Sequence, residues 1–284
     1  MSKISWIASY PKSGSTYIRL LLASYFYTQD GSINDFQEIK NIFNINDYNI
    51  YKKIKNFPKL NQFIEDPQII TLFWEGAQRL IMQEIKYNLF IKTHNCMAEI
   101  MYKRFTSEKY TKCFIYIVRD PRSVAVSYKH HFQATYDKAV KQLINKNLVD
   151  FDFNSKKNVP DLISSWAIHY NSWKNFTHKG NGIIIKYEDL IQNPYIFFKK
   201  VLDFLSNHMD IKINEKKLNQ TIESTRFSNL QEIEKQKGFF EKPEISKIFF
   251  RKGLLDEWKS CLTAKQKYTI EVNFNKEMKE LGYL

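Results

Sequence analysis

The chain is poor in the residues that interrupt secondary structure, with 7 prolines and 8 glycines among 284 residues. So few leave no Pro- or Gly-rich linker, and no internal repeat is visible, so a single domain over residues 1–284 is expected. Cysteine is scarce as well. Cys96, Cys113 and Cys261 are odd in number, far apart, and lack CxxC spacing. That argues against a disulfide framework or a bound metal, and for a reducing compartment. No run of 18 uncharged apolar residues occurs, so no membrane span is expected. Lys12 and Arg19 interrupt the first apolar stretch, so no secretory signal is expected either, and the chain reads as cytoplasmic.

What is present in excess is positive charge. Lysine and arginine number 43 against 30 acidic residues, a net +13. Such a balance favours an anionic partner, whether nucleotide, nucleic acid, acidic substrate or membrane surface. A Lys-rich solvated surface accounts for the same number. Apolar residues make up 43% of the chain and aromatics 15%, enough for a sizeable core.

Four short, nearly continuous apolar runs read as strands buried on both faces: ISWIAS (4–9), NLFIKTH (88–94), CFIYIVR (113–119) and GIIIKY (182–187). Helical patterns lie between them. One covers 14–27, and another starts at Asp120-Pro121, with Asp as N-cap and Pro at the first helical position. An amphipathic stretch covers 161–176, with Trp166, Tyr170 and Trp173 at helical spacing, and further helices are expected over 194–207 and 263–281. Strands alternating with helices predict an α/β fold with a central, mostly parallel sheet flanked by helices. Residues 30–66 and 133–158 read as surface elaborations, and 234–252 as a long basic loop.

Three stretches carry chemistry. In YPKSGSTY (10–17) a buried strand turns into a helix through Lys12, Ser13, Gly14, Ser15 and Thr16. The first amides of a helix lack intrahelical partners and the helix dipole places positive potential there, so this P-loop-like turn suits a phosphate. It is not a GxxxxGK[ST] loop, because Lys12 precedes the only glycine, and no strand ends in a matching aspartate. That argues against a P-loop kinase. An ordinary Ser-capped turn is the plainer reading. In CFIYIVRDPRSVAVSYKHHF, Arg119 ends a strand, while Ser123 and Ser127 share a helix face. Arg119 and Ser127 suit a second phosphate, and a surface arginine with a core-facing serine is the plainer alternative. In FFRKGLLDEWKSCLT (249–263), Arg251, Lys252 and Gly253 form a compact basic group that suits an anion. A basic patch on a loop is equally compatible, as is a non-catalytic nucleotide- or RNA-binding module.

Taken together and in order, YPKSGSTY, the spacing from Arg119 to Ser127, and RKG followed by Trp258 resemble the sulfotransferase family, its cytosolic type above all. That type uses 3′-phosphoadenosine 5′-phosphosulfate (PAPS). KTH at 92–94 and YEDL at 187–190 fit it too. The resemblance implies transfer of a sulfuryl group from PAPS to a hydroxyl or amine of a small-molecule acceptor, with no metal and no nucleic-acid partner. It implies that Lys12, Ser13, Gly14, Ser15 and Thr16 hold the 5′-phosphosulfate. Arg119, Ser127, Arg251, Lys252 and Gly253 would hold the 3′-phosphate, and Tyr17, Tyr187, Thr225 and Phe227 would contact the adenine. His94 would be the general base, with Lys92 and Lys12 stabilising developing charge.

Departures from the family pattern are Tyr17 where tryptophan is usual, Arg226 where a small residue is usual, and Asp256-Glu257 where Gly-Asp is usual. The family's dimer motif, KxxxTVxxxE, is degraded to KSCLTAKQKY (259–268), which leaves the oligomeric state open. Phe73, Trp74, Phe132, Tyr136, Trp166, His169, Tyr170, Phe239 and Phe240 are candidates to line an acceptor pocket. Glu75, Asp137 and Asp161 are candidates to hold a cationic acceptor.

Overall fold

The computed structural model describes residues 3–84, 90–97, 99–242, 248–251 and 253–284. The fold is mixed α/β, and the chain divides into two compact units. The first comprises Met1–Tyr10, Ile42–Ile117 and Asn145–Ile184; the second comprises Pro11–Asn41, Val118–Ile144 and Ile185–Leu284.

A four-stranded sheet organises the first unit, with strands β1 (Ile4–Ser9), β2 (Phe90–Thr93), β3 (Thr111–Val118) and β4 (Gly182–Lys186) in the order β2-β1-β3-β4. β1 pairs in parallel with both neighbours, Ala8 opposite Thr93 and Ser9 opposite Ile117. All six residues of β1 are buried, as a continuous apolar run in a covered parallel sheet requires. The four expected strands are therefore present. The first two residues of the second run, 88 and 89, lie outside the described residues.

Helices α2 (Trp74–Glu84) and α5 (Trp166–Gly180) belong to the same unit. Its core is aromatic: Phe105 packs against Trp6 at 5.1 Å and Trp74 at 5.4 Å, and Phe114 against Trp173 at 5.0 Å. Two of the buried indoles have partners, Trp6 Nε1 donating to Thr111 Oγ1 and Trp173 Nε1 to the Asn95 carbonyl, whereas Trp74 Nε1 has none among the described residues.

The helix expected over 161–176 is corrected at its start. Asp161–Leu162 pair antiparallel with Val149–Asp150 as a short ribbon, and the helix begins at Trp166 with Ser165 as N-cap. Residues 30–66 are not merely surface. Ile42, Ile45, Tyr51 and Phe63 are buried in the first unit, and Ile33, Phe36 and Ile39 in the second.

The second unit is helical. α1 (Ser15–Tyr27) is almost wholly buried, including Arg19, whose guanidinium pairs with Glu241 at 2.8 Å; that pairing lets a charged residue sit in an apolar helix. The unit also holds α3 (Pro121–His131), α4 (Tyr136–Ile144), α6 (Tyr187–Gln192), α7 (Pro194–Ser206), α8 (Glu215–Ser224) and α9 (Phe227–Lys237), with α8 packed on α1. α4 lies within the stretch read as surface and buries Ala139, Val140 and Leu143. α9 shortens the expected loop over 234–252 by running to Lys237.

The helix expected over 263–281 is two, α10 (Ala264–Asn273) and α11 (Asn275–Glu280), because Phe274 leaves helical geometry at φ −122°. Asp120 caps α3 as expected, accepting from the Arg122 amide with Pro121 next in line. Arg122 then binds Asp120 and Glu271, stacks on Trp258 at 3.8 Å, and donates to the Tyr283 carbonyl. No helix among the described residues is long and apolar enough to cross a membrane.

Candidate active site

In the second unit the stretch after Tyr10 makes a tight cradle. Lys12 and Gly14 both take left-handed backbone conformations, at φ 68° and 100°. α1 starts immediately after, and its first hydrogen bonds run from the Tyr17 and Ile18 amides to the Gly14 carbonyl. The amides of Ser15 and Thr16 therefore precede the helical ladder and carry the positive end of its dipole. A Cβ on Gly14 would stand 2.2 Å from Cδ2 of Tyr187, so the ring of Tyr187 closes one side of the cradle. Ser13 is fully buried, and its Oγ has no hydrogen-bond partner among the described residues. A buried hydroxyl without a partner costs about 1–3 kcal/mol. Lys12 Nζ lies over the Phe249 ring at 5.3 Å.

Arg119, at the end of β3, reaches the same place. Its guanidinium stacks on Tyr187 at 4.5 Å and donates to the Lys12 carbonyl at 3.3 Å, while its Nε has no partner among the described residues. Tyr17 is hydrogen-bonded to Thr225 and sits close to Tyr187, and burial pushes its phenol up to about 12. A Cβ on Gly253 would stand 3.1 Å from the Phe227 ring. The second unit thus gathers two groups among the expected binding residues. Lys12, Ser13, Gly14, Arg119, Tyr187, Tyr17 and Thr225 form one group; Phe227 and Gly253 form the other. Ser127 is half-buried on α3. Its neighbour Ser123 is committed elsewhere, donating to the Leu255 carbonyl. Arg251 is held by both oxygens of Glu257. Lys252 lies outside the described residues.

The other two expected residues belong to the first unit. His94 directly follows β2 and is buried. Its Nδ1 lies 2.7 Å from the Ser9 carbonyl and 3.4 Å from Ser9 Oγ. A carbonyl can only accept, so Nδ1 carries the proton, and in the neutral ring the lone pair is on Nε2. The backbone around His94 is tied down: the Asn95 amide donates to Thr93 Oγ1, and the Asn95 side chain donates to Asp161 and accepts from the Leu162 amide. Lys92 is the positive charge that opposes the burial of Asp150 and Asp161, which face each other on the ribbon. Burial pushes the Asp161 carboxyl up to about 8, with the Asp150 charge adding to the effect.

The acidic residues expected for a cationic acceptor all have internal partners. Glu75 binds Arg79 and Tyr110, Asp137 accepts from Gln266, and Asp161 accepts from Asn46 and Asn95. Of the aromatic pocket candidates, Trp74, Trp166, His169, Tyr170 and Phe239 are buried, and Phe132 and Phe240 are exposed. Sequence reasoning missed the Ser9 carbonyl, the Asn95 side chain and Glu257. A backbone carbonyl has no residue signature, and a partner 85 residues away in sequence leaves no local pattern. Glu257 did carry a signal, an acid six residues after Arg251. Among the described residues no three His, Cys, Asp or Glu side chains group as a metal site.

Comparison with known proteins bears on the same residues. The family model described as Sulfotransferase domain matches residues 3–282. Among curated relatives, sulfotransferase 1A1 of Canis lupus familiaris is 22% identical over 282 residues, covering 97% of this chain and 83% of its own. Luciferin sulfotransferase of Photinus pyralis is 26% identical over 238 residues, 79% of this chain and 56% of its own. Two solved structures share the fold. Mouse sulfotransferase SULT7A1 complexed with PAP has a TM-score of 0.61 at 19% identity, covering 97% of this chain and 84% of that one. Retinol dehydratase in complex with retinol and PAP has a TM-score of 0.63 at 17% identity, covering 97% and 81%. With the family model spanning nearly every residue, including the Lys12 turn, Arg119 and His94, the chain belongs to the sulfotransferase family.

Proposed function

We propose that this chain is a single catalytic domain over 1–284, acting in the cytoplasm, that moves a sulfuryl group from PAPS to a hydroxyl or amine of a small-molecule acceptor. Family membership supports the reaction class, and it leaves the kinase and nucleic-acid-binding readings without support. The observation that carries the donor is the cradle. The buried Ser13 hydroxyl and the Arg119 Nε are both without partners among the described residues, beside the amides that open α1. An anionic oxygen satisfies all of them at once. The PAP held by the mouse sulfotransferase and retinol dehydratase structures is the product such a donor leaves.

When bound, the donor supplies an electrophilic sulfur and a phosphate leaving group. In this reading the residues of the chain do the rest. Lys12, Ser13, Gly14, Ser15 and Thr16 hold the phosphosulfate end. Arg119, Ser127, Arg251, Lys252 and Gly253 hold the 3′-phosphate, and Tyr17, Tyr187, Thr225 and Phe227 hold the base. His94 Nε2 takes the acceptor proton as the new S–O or S–N bond forms and the S–O bond to the leaving phosphate breaks, its Nδ1 proton fixed on the Ser9 carbonyl. Lys92 and Lys12 offset negative charge as it builds, and no metal is assigned a role. The test is turnover with PAPS and a panel of small phenols, alcohols and amines, alongside PAP titration. His94→Ala is expected to lose turnover and keep PAP affinity within about twofold, whereas Lys12→Ala loses both. Full turnover in His94→Ala would remove His94 from the role.

A further inference from the structure

His169 is fully buried in α5, and both its nitrogens are engaged within the first unit. Nε2 lies 3.0 Å from the His94 carbonyl and Nδ1 2.9 Å from the Tyr116 hydroxyl. The carbonyl can only accept, so Nε2 carries the proton; Nδ1 is then the acceptor and the Tyr116 hydroxyl donates to it. Burial holds the imidazole down to about 4, so the ring is neutral and this assignment stands across the working range. The Tyr116 oxygen in turn accepts the Tyr10 backbone amide.

That amide and the Ser9 carbonyl are the two ends of one peptide group, and the Ser9 carbonyl accepts the Nδ1 proton of His94. The bonds therefore form a closed circuit. It runs from the Ser9–Tyr10 peptide through Tyr116 and His169 to the His94 carbonyl, and returns through the His94 ring to the same peptide. Rotating the His94 ring, or moving its proton from Nδ1 to Nε2, breaks the circuit at one end, and shifting its backbone breaks it at the other.

We propose that Tyr116 and His169 are positioning residues for sulfuryl transfer, holding the His94 imidazole in one orientation and in the tautomer whose lone pair is on Nε2. The proposal rests on the reading of His94 as the base. Neither residue touches substrate; both act through His94, and displacing a reacting group by about 1 Å costs on the order of a hundredfold in rate.

The experiment uses the full chain with four substitutions: Tyr116→Phe, His169→Asn, His169→Gln and His94→Ala. Tyr116→Phe removes a single oxygen and leaves no cavity. The amide of Gln can occupy the place of Nε2 and donate to the His94 carbonyl, whereas that of Asn is too short. kcat is expected to fall roughly 10- to 100-fold in Tyr116→Phe and His169→Asn. It is expected to return to within a few-fold of the parent in His169→Gln, with PAP affinity unchanged in all three. The ¹⁵N shifts of the His94 ring, showing a protonated Nδ1 in the parent, are expected to move toward a mixture of tautomers in Tyr116→Phe. Parental kcat in Tyr116→Phe, or a lower kcat with the parental ¹⁵N signature, overturns the proposal. Turnover surviving in His94→Ala overturns the underlying reading of the base instead, so the two failures are distinct.

Discussion

Replacing Gly14 by alanine tests the cradle with a single methyl group. Two costs arise. At φ 100° the new side chain meets the carbonyl-side crowding that disfavours left-handed backbone, about 1–2 kcal/mol. The methyl also lands 2.2 Å from Cδ2 and 2.7 Å from Cε2 of Tyr187, so the ring or the turn must move, an overpacking cost of about 1–3 kcal/mol. Together they predict a loss of about 2–5 kcal/mol and a fall in Tm of roughly 5–15 °C. Tyr187 does not move alone, because Arg119 stacks on it and donates to the Lys12 carbonyl. PAP affinity is therefore expected to drop by about 10- to 100-fold, the loss of one or two charge-assisted contacts.

Gly282→Ala is the control. Its φ is 70° and nothing lies within 4 Å of the added carbon, so only the backbone cost applies and PAP binding stays intact. Differential scanning fluorimetry and titration calorimetry read both quantities. Equal losses in the two variants, or parental PAP affinity in Gly14→Ala, would refute the reading of Tyr187 as the wall of a phosphate cradle.

Two other outcomes follow from buried charges. Asp161 titrates near 8 in the fold, above its ordinary value of 3.8, so between those values the folded chain keeps a proton that the unfolded chain has lost. The stability it contributes is fully present below about pH 4 and falls as pH rises toward 8, by at most about 1.4 kcal/mol per pH unit. Asp161→Asn should flatten that slope in chemical denaturation at pH 5 to 8, and an unchanged slope would assign the titration to another group. Glu257→Gln should release Arg251 from its ion pair, whose partners are 28% and 12% exposed, and tighten PAP binding by about fivefold, the equivalent of roughly 1 kcal/mol. Weaker binding on calorimetry would mean that Glu257 orients Arg251 rather than competing for it.

The parts readable from sequence are those whose physics is local. A strand covered on both faces must be a run of apolar residues, so β1, β3 and β4 stand out; a helix capped by Asp and opened by Pro must look like Asp120-Pro121. The cradle was readable because glycine and hydroxyls between a strand and a helix have few other uses. The start of α5 was not, since Asp161–Leu162 pair with Val149–Asp150 across a connection that leaves no period in either segment. Ser165, the true N-cap, was the available signal. Within 30–66 the apolar residues Ile33, Phe36, Ile39, Ile42 and Ile45 recur every third position, which fits neither a strand nor an α-helix. They belong to an irregular path with one 3₁₀ turn at Glu38–Asn41, and all five are buried. The circuit through Tyr116 and His169 was invisible, because a tyrosine inside an apolar strand and a histidine on an aromatic helix both look like core.

The residues that close the second unit come at the far end of the chain. Tyr283 donates to Glu188, whose other oxygen accepts the Asp120 amide, and the Tyr283 carbonyl accepts from Arg122. The first unit needs nothing beyond Ile184. On the ribosome, then, the sheet has all its strands well before the start of α3 can lock, and the interval between Ile184 and Tyr283 is roughly 5–20 s at ordinary synthesis rates. During that interval the start of α3 lacks its late partners Glu271 and Tyr283, so this half of the enzyme is the part a nascent-chain chaperone has reason to hold.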